Sequence, residues 1–177
     1  MRRTAGLALL VALGAALVLV VHGPPVRPRA PQGIGLLGVG PAGVRGLDVE
    51  LGERRFGAER RGGGWAIDGA PASTATAAAL DDLVGTLARL RAVDRFRGPD
   101  TDAFGLDRPR ATITVRTRRR TRRLVLGAAN AAGSALYARR DHDRRVLEVG
   151  VGLLSDLERV FYFRDVARGG AQRPESG

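Results

Sequence analysis

An apolar run near the amino terminus limits what this chain can be more than any other feature. It extends from Thr4 to Val21, 18 residues without a charge, and it follows Arg2 and Arg3. A run of this length with these flanks predicts a membrane-spanning helix or an export signal. A cleaved signal needs small residues in an A-x-A-like pattern after its apolar core, and the residues around Val21 offer none. We therefore expect an uncleaved anchor over residues 1–22, with a signal peptide as the alternative.

The charges that flank this run bear on the orientation of the predicted anchor. Arg2 and Arg3 precede it and Arg27 and Arg29 follow it, so the positive-inside rule is nearly balanced. A short tail before a span is typical of a signal anchor whose amino terminus stays in the cytoplasm. We expect a single-pass protein of the cytoplasmic (inner) membrane with its globular part outside the cytoplasm. A lipoprotein is excluded, because the chain contains no cysteine.

The rest of the chain divides into a stalk, one domain and a tail. Residues 23–35 are rich in proline and glycine, which predicts an extended, semi-rigid stalk. Residues 36–166 suffice for one domain with its own core. Residues 167–177 predict a disordered polar tail. A chain without cysteine forms no disulfide, and its redox compartment cannot be inferred.

The chain is strongly basic, and all 29 of its basic residues are arginine. The formal net charge is +11, of which +9 remains without Arg2 and Arg3. The exclusive use of arginine can result from GC-rich coding as well as from selection for phosphate contacts. The charge is therefore weak support for nucleic-acid binding. An anionic membrane surface is the nearer partner for an anchored domain.

Apolar periodicity indicates a sheet of hairpins in the predicted domain. Alternation predicts strands at 44–51, near Phe56, and at 111–115, 124–127, 136–138 and 146–149, and a glycine turn at 62–64 leads into Trp65-Ala66-Ile67. The second hairpin turn is expected at 139–145. Asp102 is expected to cap a helical turn that ends at Gly105.

Two helices accompany these strands. Ser73 or Thr74 is expected to cap a long amphipathic helix with one buried face, formed by Leu80, Leu83, Val84, Leu87 and Leu90. A short C-terminal helix carries Leu153, Leu154 and Leu157. The pattern predicts an α+β domain with a mostly antiparallel sheet, preceded by a single transmembrane helix.

The order of several motifs resembles that of a known family. They are Trp65-Ala66-Ile67-Asp68 to Pro71, Phe104-Gly105-Leu106-Asp107-x-Pro109, Leu126-Gly127, Tyr137-Ala138-Arg139, and Leu153-Leu154-x-x-Leu157 to Phe163-Arg164-Asp165. Over residues 36–166 the chain resembles the bacterial domain of unknown function 4340, and the Gly-Leu-Asp-x-Pro turn is the most specific element. The resemblance implies a membrane-anchored envelope protein, in many cases encoded beside ABC-type transporter components of the gliding-motility kind. It implies no catalytic residue. The chain differs from many members in its single short copy of the domain and its all-arginine turn.

Two patterns match ligand-binding motifs only in part. Gly33-x-Gly35-x-x-Gly38 has the spacing of a dinucleotide fingerprint, but Gly40-Pro41 follows where a helix should begin. Asp100-x-Asp102-x-x-Gly105 has the start of a calcium loop, but Phe104 and Ala111 stand where a carboxylate and a bidentate glutamate are needed. We expect a flexible glycine-rich lead-in and a capped turn, with no cofactor and no metal.

No set of residues in the sequence is convincingly arranged for acid–base catalysis. Arginines surround Asp141-His142-Asp143, which predicts a solvated hairpin turn, and the other histidine, His22, lies at the predicted membrane boundary. Asp81 and Asp82 are adjacent on a helix and point in different directions, so they make a poor acid–base pair. We expect no enzymatic activity. We would expect an enzyme only if the folded domain brought Asp81, Asp102 or His142 together in one pocket.

One basic segment exceeds what a hairpin turn requires. Within residues 116–123 it contains Arg116, Arg118, Arg119, Arg120, Arg122 and Arg123. No aromatic residue lies among them for base stacking, so nucleic acid is the least favoured partner. The alternatives left open are a solvated turn and a contact with lipid head groups or an acidic protein.

Anchor, stalk and resemblance together predict a non-enzymatic accessory or scaffold subunit of an envelope or ABC-transporter-type complex. A multi-span permease or another envelope protein is the expected partner. The alternative is an extracytoplasmic module that binds an anionic ligand or a lipid surface through the arginine-rich hairpins. The sequence leaves the oligomeric state and the ligand open.

Overall fold

Two helices cover one face of an antiparallel sheet, which makes a two-layer α+β domain. The structure, a computed structural model, describes residues 35–97, 102–141 and 143–171. The strands found there are β1 (Val44–Leu51), β2 (Arg54–Arg61), β3 (Gly64–Ile67), β4 (Ala70–Pro71), β5 (Asp94–Arg97), β6 (Ala111–Thr117), β7 (Thr121–Ala129), β8 (Ala135–Arg140) and β9 (Arg145–Gly150). Helix α1 is Thr74–Arg89 and α2 is Gly152–Ala171, and short 3-10 helices lie at Pro41–Gly43 and Asp102–Phe104. The predicted α+β class and antiparallel sheet are confirmed.

The sheet consists of two meanders joined along one pair of strands. Its strand order is β4-β3-β2-β1-β6-β7-β8-β9-β5, so that β1 of the first meander lies beside β6 of the second. These two strands are antiparallel, with Leu47 opposite Val115 and Val49 opposite Ile113. Strand β5 pairs with β9 at the far edge. Helix α1 therefore carries the chain from one edge of the sheet to the other.

The core lies between the helices and the inner face of the sheet. Period-two alternation puts one set of strand side chains inward, among them Leu47, Val49, Ile113, Val115, Leu124 and Leu126. The facing helical residues recur every three or four positions: Leu80, Leu83, Val84, Leu87, Leu153, Leu157, Val160 and Phe161. Ser73 caps α1, because its hydroxyl accepts a hydrogen bond from the backbone N–H of Thr76 at 3.2 Å.

A second, smaller apolar cluster lies on the outer face of the sheet. Leu106, Val125 and Val146 are buried there, and the rings of Phe104 and Tyr137 pack with their centroids 4.8 Å apart. This cluster shows that residues 102–110 cross the outer face rather than leave the domain. The helical turn predicted to end at Gly105 is confirmed.

The turn from Phe104 to Pro109, here called the family-like turn, packs directly on the backbone of β7. Gly105 has a φ of +65° and its N–H donates to the carbonyl oxygen of Asp102 at 3.0 Å. Below it, the position that a Cβ of Gly127 would occupy is taken by the carbonyl oxygen of Phe104. After Asp107 and Pro109 the chain joins β6. Two of the resembling motifs, Phe104-Gly105 and Leu126-Gly127, are thus halves of one structural unit.

The C-terminal helix was predicted as short, and this is wrong. Helix α2 has 20 residues and continues to Ala171, into the region expected to be a disordered tail. The inward positions continue past Leu157 through Phe161 to Arg164, which is buried. The guanidinium of Arg164 donates to the carbonyl oxygen of Arg55 at 2.7 Å and to Asp165. The bond to Arg55 ties α2 to β2, and Arg168 further along the helix pairs with Asp68 at 2.7 Å. These contacts explain the extra length.

Other boundaries also differ from the prediction. The hairpin turn expected at 139–145 covers only the residues between Arg140 and Arg145, because β8 and β9 extend into it. Leu90 is buried as expected, but it follows the end of α1 at Arg89. Pairing across the sheet thus extends strands into segments that polarity alone assigns to turns.

The predicted anchor over residues 1–22 lies outside the described residues. So does the stalk up to residue 34 and the tail from residue 172. Within the described part of the chain, neither helix is long and apolar enough to cross a bilayer. The anchor and its alternative as a signal peptide therefore stay predictions.

Replacing Gly127 by alanine tests the contact between the family-like turn and β7. A Cβ there collides with the Phe104 carbonyl, so Gly127→Ala should lower the free energy of unfolding by about 1–3 kcal/mol. Gly150→Ala is the matched control, since a Cβ at that strand glycine meets no atom within 4 Å. Urea unfolding followed by the fluorescence of Trp65, the single tryptophan, measures both. Equal midpoints for the two variants would contradict the contact.

Candidate functional site: an arginine-lined cleft

An open cleft lies at one end of the sheet, between the β6–β7 turn and the loop that leads into β1. Its volume is about 460 Å³. The residues that line it are Gly38, Val39, Gly40, Gly43, Arg45, Thr117, Arg118, Arg119 and Arg120. We call it the arginine cleft, with a loop wall (38–43) and a turn wall (117–120). The pairing of β1 with β6 brings the walls together, because it sets Val44 opposite Thr117.

The turn wall is ordered by one threonine. Thr117 Oγ1 accepts hydrogen bonds from the backbone N–H groups of Arg119 (3.3 Å) and Arg120 (3.1 Å), and donates to the carbonyl oxygen of Arg120. A backbone bond from the Thr117 N–H to the same carbonyl closes the turn at 2.9 Å. The backbone is thereby fixed, while the side chains of Arg118 and Arg119 stay exposed to solvent.

Hydrogen bonds fix the segment directly before the loop wall to the rest of the domain. The N–H of Leu36 donates to the carbonyl oxygen of Leu90 at 2.7 Å, and Nη1 of Arg140 donates to the carbonyl oxygen of Leu36 at 2.8 Å. Arg120 Nη2 donates to the carbonyl oxygen of Gly38 and so links the two walls directly. Leu36, Leu37 and Val39 are buried, so the expectation of a flexible lead-in is wrong for this segment.

Arg45 reaches the cleft from a β-bulge. The β1–β6 register passes from Val44 opposite Thr117 to Gly46 opposite Arg116, which leaves Arg45 as the extra residue. Bulges redirect side chains at sheet ends and near functional sites. Sequence reasoning missed Arg45, although the glycine that follows it inside a strand is a recognised signal of a bulge.

The cleft carries positive charge without a carboxylate to balance it. Within the described residues, Arg45, Arg118, Arg119 and Arg120 form no ion pair, and no acidic residue lines the cleft. Elsewhere arginines are paired with carboxylates; examples are Arg60, Arg61, Arg116, Arg122, Arg140, Arg145, Arg159 and Arg168. Clustered like charges repel one another, so an anion bound here relieves a repulsion that the fold leaves in place.

The structure divides the six arginines that the sequence grouped together. Arg118, Arg119 and Arg120 form the turn wall, whereas Arg116 lies on β6 and pairs across the outer face with Asp48 and with Glu59 at 3.4 Å. Gly46 leaves room for that guanidinium, since a Cβ there would lie 2.8 Å from Nη2 of Arg116. The predicted turn over 116–123 is therefore shorter than expected.

The other two arginines of the group lie on β7. Arg122 pairs with Asp141 at 3.5 Å. Arg123 is exposed, and its backbone N–H donates to Asp141 Oδ1 at 2.8 Å. By strand alternation Arg123 faces the outer side of the sheet, away from the helices. Neither residue lines the arginine cleft.

The acidic candidates have structural partners or lie apart. Asp81 accepts hydrogen bonds from Trp65 Nε1 (2.9 Å) and from Arg60 (2.5 Å), whose guanidinium lies 4.4 Å from the indole centroid. Asp82 points elsewhere and pairs with Arg159, as adjacent helical positions predict. Asp102 belongs to the outer-face segment, so the sheet separates it from Asp81 on α1. His142 lies outside the described residues.

The two partial ligand motifs gain no further support. Gly33 and Asp100 lie outside the described residues. Gly38 has a φ of +60° in a turn closed by its N–H to the carbonyl oxygen of Gly35 at 2.7 Å, and only the short Pro41–Gly43 helix follows. Among the residues that the structure describes, no group of three or more His, Cys, Asp or Glu side chains is placed to hold a metal ion.

Comparison with known proteins gives one match. A family model described as "Domain of unknown function (DUF4340)" matches residues 65–165. This span begins in β3 and ends in α2, so it includes the turn wall and the family-like turn but neither Arg45 nor the loop wall. No curated protein and no solved structure is significantly similar to the chain.

Removal of the Asp81 carboxylate tests its structural role. Asp81→Ala leaves the part-buried indole N–H of Trp65 without its acceptor, and should cost about 1 kcal/mol of unfolding free energy. Asp82→Ala removes a carboxylate whose ion pair with Arg159 is exposed, so it should change stability by less than about 0.5 kcal/mol. Urea unfolding of both variants, with the emission wavelength of Trp65 as a second readout, separates them. A larger effect for Asp82 would exclude this assignment.

Proposed function

The chain belongs to the DUF4340 family, and from this premise we propose that it is a non-enzymatic, membrane-anchored accessory subunit of an envelope complex. The arginine cleft would face the anionic surface of the membrane that holds the anchor. A transporter of the ABC type, with a multi-span permease, is the proposed partner. The alternative role, a module that captures an anionic ligand, uses the same cleft.

The position of the cleft in the chain carries this proposal. Its loop wall begins at Gly38, directly after the predicted stalk over residues 23–35. Extended at about 3.1 Å per residue, such a stalk reaches about 40 Å, so the tether alone leaves the domain several orientations. Unbalanced arginines at the tethered end favour the orientation in which that end approaches anionic lipid.

The size of the electrostatic effect is sufficient for this role. An arginine near an anionic membrane surface contributes about 1 kcal/mol. The four arginines of the cleft would then contribute up to about 4 kcal/mol, which favours the surface-facing orientation several hundredfold. Salt weakens such an interaction, because the Debye length is only about 8 Å at physiological ionic strength. An orientation held in this way is reversible.

The remaining side chains support an accessory role rather than catalysis. Asp81 accepts a hydrogen bond from Trp65 and pairs with Arg60. Asp48 pairs with Arg116, and Asp141 pairs with Arg122. These carboxylates therefore stabilise the fold. A general acid or base must be within reach of a substrate in a pocket. The carboxylates that line the smaller outer-face groove, such as Glu59 and Asp48, pair with Arg116 instead.

Crosslinking in intact membranes tests the accessory role. We expect the tagged full-length chain, after crosslinking and pull-down, to recover a multi-span permease or its ATPase by mass spectrometry. A tagged chain that ends after residue 35 serves as the control, because it keeps the predicted anchor and stalk without the domain. Recovery of the chain alone, or equal recovery of partners by the control, would contradict a role of the domain in an envelope complex.

A further inference from the structure

We propose that the arginine cleft is a discrete site for one phosphate ester, a phosphomonoester or phosphodiester on a small organic group. The ester is held by Arg45 from the bulge together with Arg118 and Arg119 from the turn wall. This goes beyond a general attraction to anionic surfaces, because it assigns a bound group and the residues that hold it. It rests on the proposed function in one respect: a lipid head group would be the source of the phosphate.

Convergence from two chain segments is the first argument for a discrete site. Arg45 and Arg119 are far apart in sequence, and they line one cleft only because β1 pairs with β6 and the bulge turns Arg45 outward. A simple basic turn would need no arginine from a second strand. Two planar guanidinium groups that approach one volume from different sides suit the several oxygens of a phosphate group.

The absence of acidic groups from the cleft lining is the second argument. The smaller groove on the outer face is lined by Asp48, Glu59 and Asp68 together with Arg61 and Arg116, and both of its arginines pair with its carboxylates. The arginine cleft has no such internal compensation among the described residues. An external anion is therefore the available counter-charge, and a phosphate ester bears one or two negative charges.

The walls of the cleft are fixed before any ligand arrives, which is the third argument. Arg120 binds the carbonyl oxygen of Gly38 and so sets the spacing between loop wall and turn wall. We assign Arg120 as a positioning residue. The volume of about 460 Å³ is within the range of small-ligand clefts and exceeds what a phosphate group alone requires. The glycines Gly38, Gly40 and Gly43 leave space for the organic group of the ester.

Titration with a soluble phosphate ester tests the site. The full-length chain in phosphatidylcholine nanodiscs is titrated with glycerol 3-phosphate by calorimetry, with glycerol as the uncharged control. We expect Arg45→Ser and Arg119→Ser each to weaken binding by at least about tenfold, as for loss of a charge-assisted hydrogen bond. Arg123→Ser removes the same charge from β7, outside the cleft lining, and should weaken binding by less than about twofold.

The structure makes these variants suitable, because Arg45, Arg119 and Arg123 form no ion pair within the described residues. Circular dichroism of each variant verifies the fold. Equal losses for all three variants would overturn the proposal, since they would indicate only diffuse attraction. Failure of the unaltered chain to bind glycerol 3-phosphate in preference to glycerol would overturn it as well.

A second titration tests the phosphate site independently of the proposed membrane-facing role. The same titration is repeated in nanodiscs of equal parts phosphatidylglycerol and phosphatidylcholine. A weaker apparent affinity for glycerol 3-phosphate there supports the site and identifies the lipid head group as a competing occupant. An unchanged affinity, with the variant pattern intact, supports a site for a soluble phosphate ester and counts against the membrane-facing role.

Discussion

The pairing of β1 with β6 is the interaction on which the rest of the structure depends. It joins the meander β1–β4 to the meander β6–β9 and so makes one sheet with a continuous inner face. It also places the residues before β1 beside the β6–β7 turn, which creates the arginine cleft, and the bulge in this pair delivers Arg45. On the outer face the same pair brings Arg116 to Asp48. Core, bulge and cleft therefore have a common origin.

Arginine serves two purposes in this domain, and the environment of each side chain decides which. Arg116 and Arg164 are paired with carboxylates and stabilise the packing of strands and of α2. Arg45 and Arg119 lack such partners within the described residues and line a cleft. The field of a paired arginine is largely compensated by its carboxylate, whereas an unbalanced cluster of arginines attracts anions. This division supports the proposal that the end of the domain with the arginine cleft faces an anion.

Periodicity and caps made much of the fold predictable from sequence. Strand β1 over Val44–Leu51, helix α1 with its Ser73 cap and the turn at Gly105 all depend on local rules. The full length of α2 was not predictable, because its second half is held by contacts with distant parts of the chain, from Arg164 to the β2 backbone and from Arg168 to Asp68. The arginine-rich turn was found by charge density alone. Its partner Arg45 was not, since only strand register puts the two together.

The orientation of the domain relative to the bilayer tests the central claim most directly. The chain has no cysteine, so Ala42→Cys at the cleft end and Ala132→Cys at the β7–β8 turn can each carry one fluorophore. The nine residues of β7 separate the two ends of the sheet by about 30 Å. In vesicles of equal parts phosphatidylglycerol and phosphatidylcholine with acceptor-labelled lipid, we predict much stronger energy transfer from position 42. Equal transfer, or stronger transfer from position 132, would contradict a membrane-facing arginine cleft.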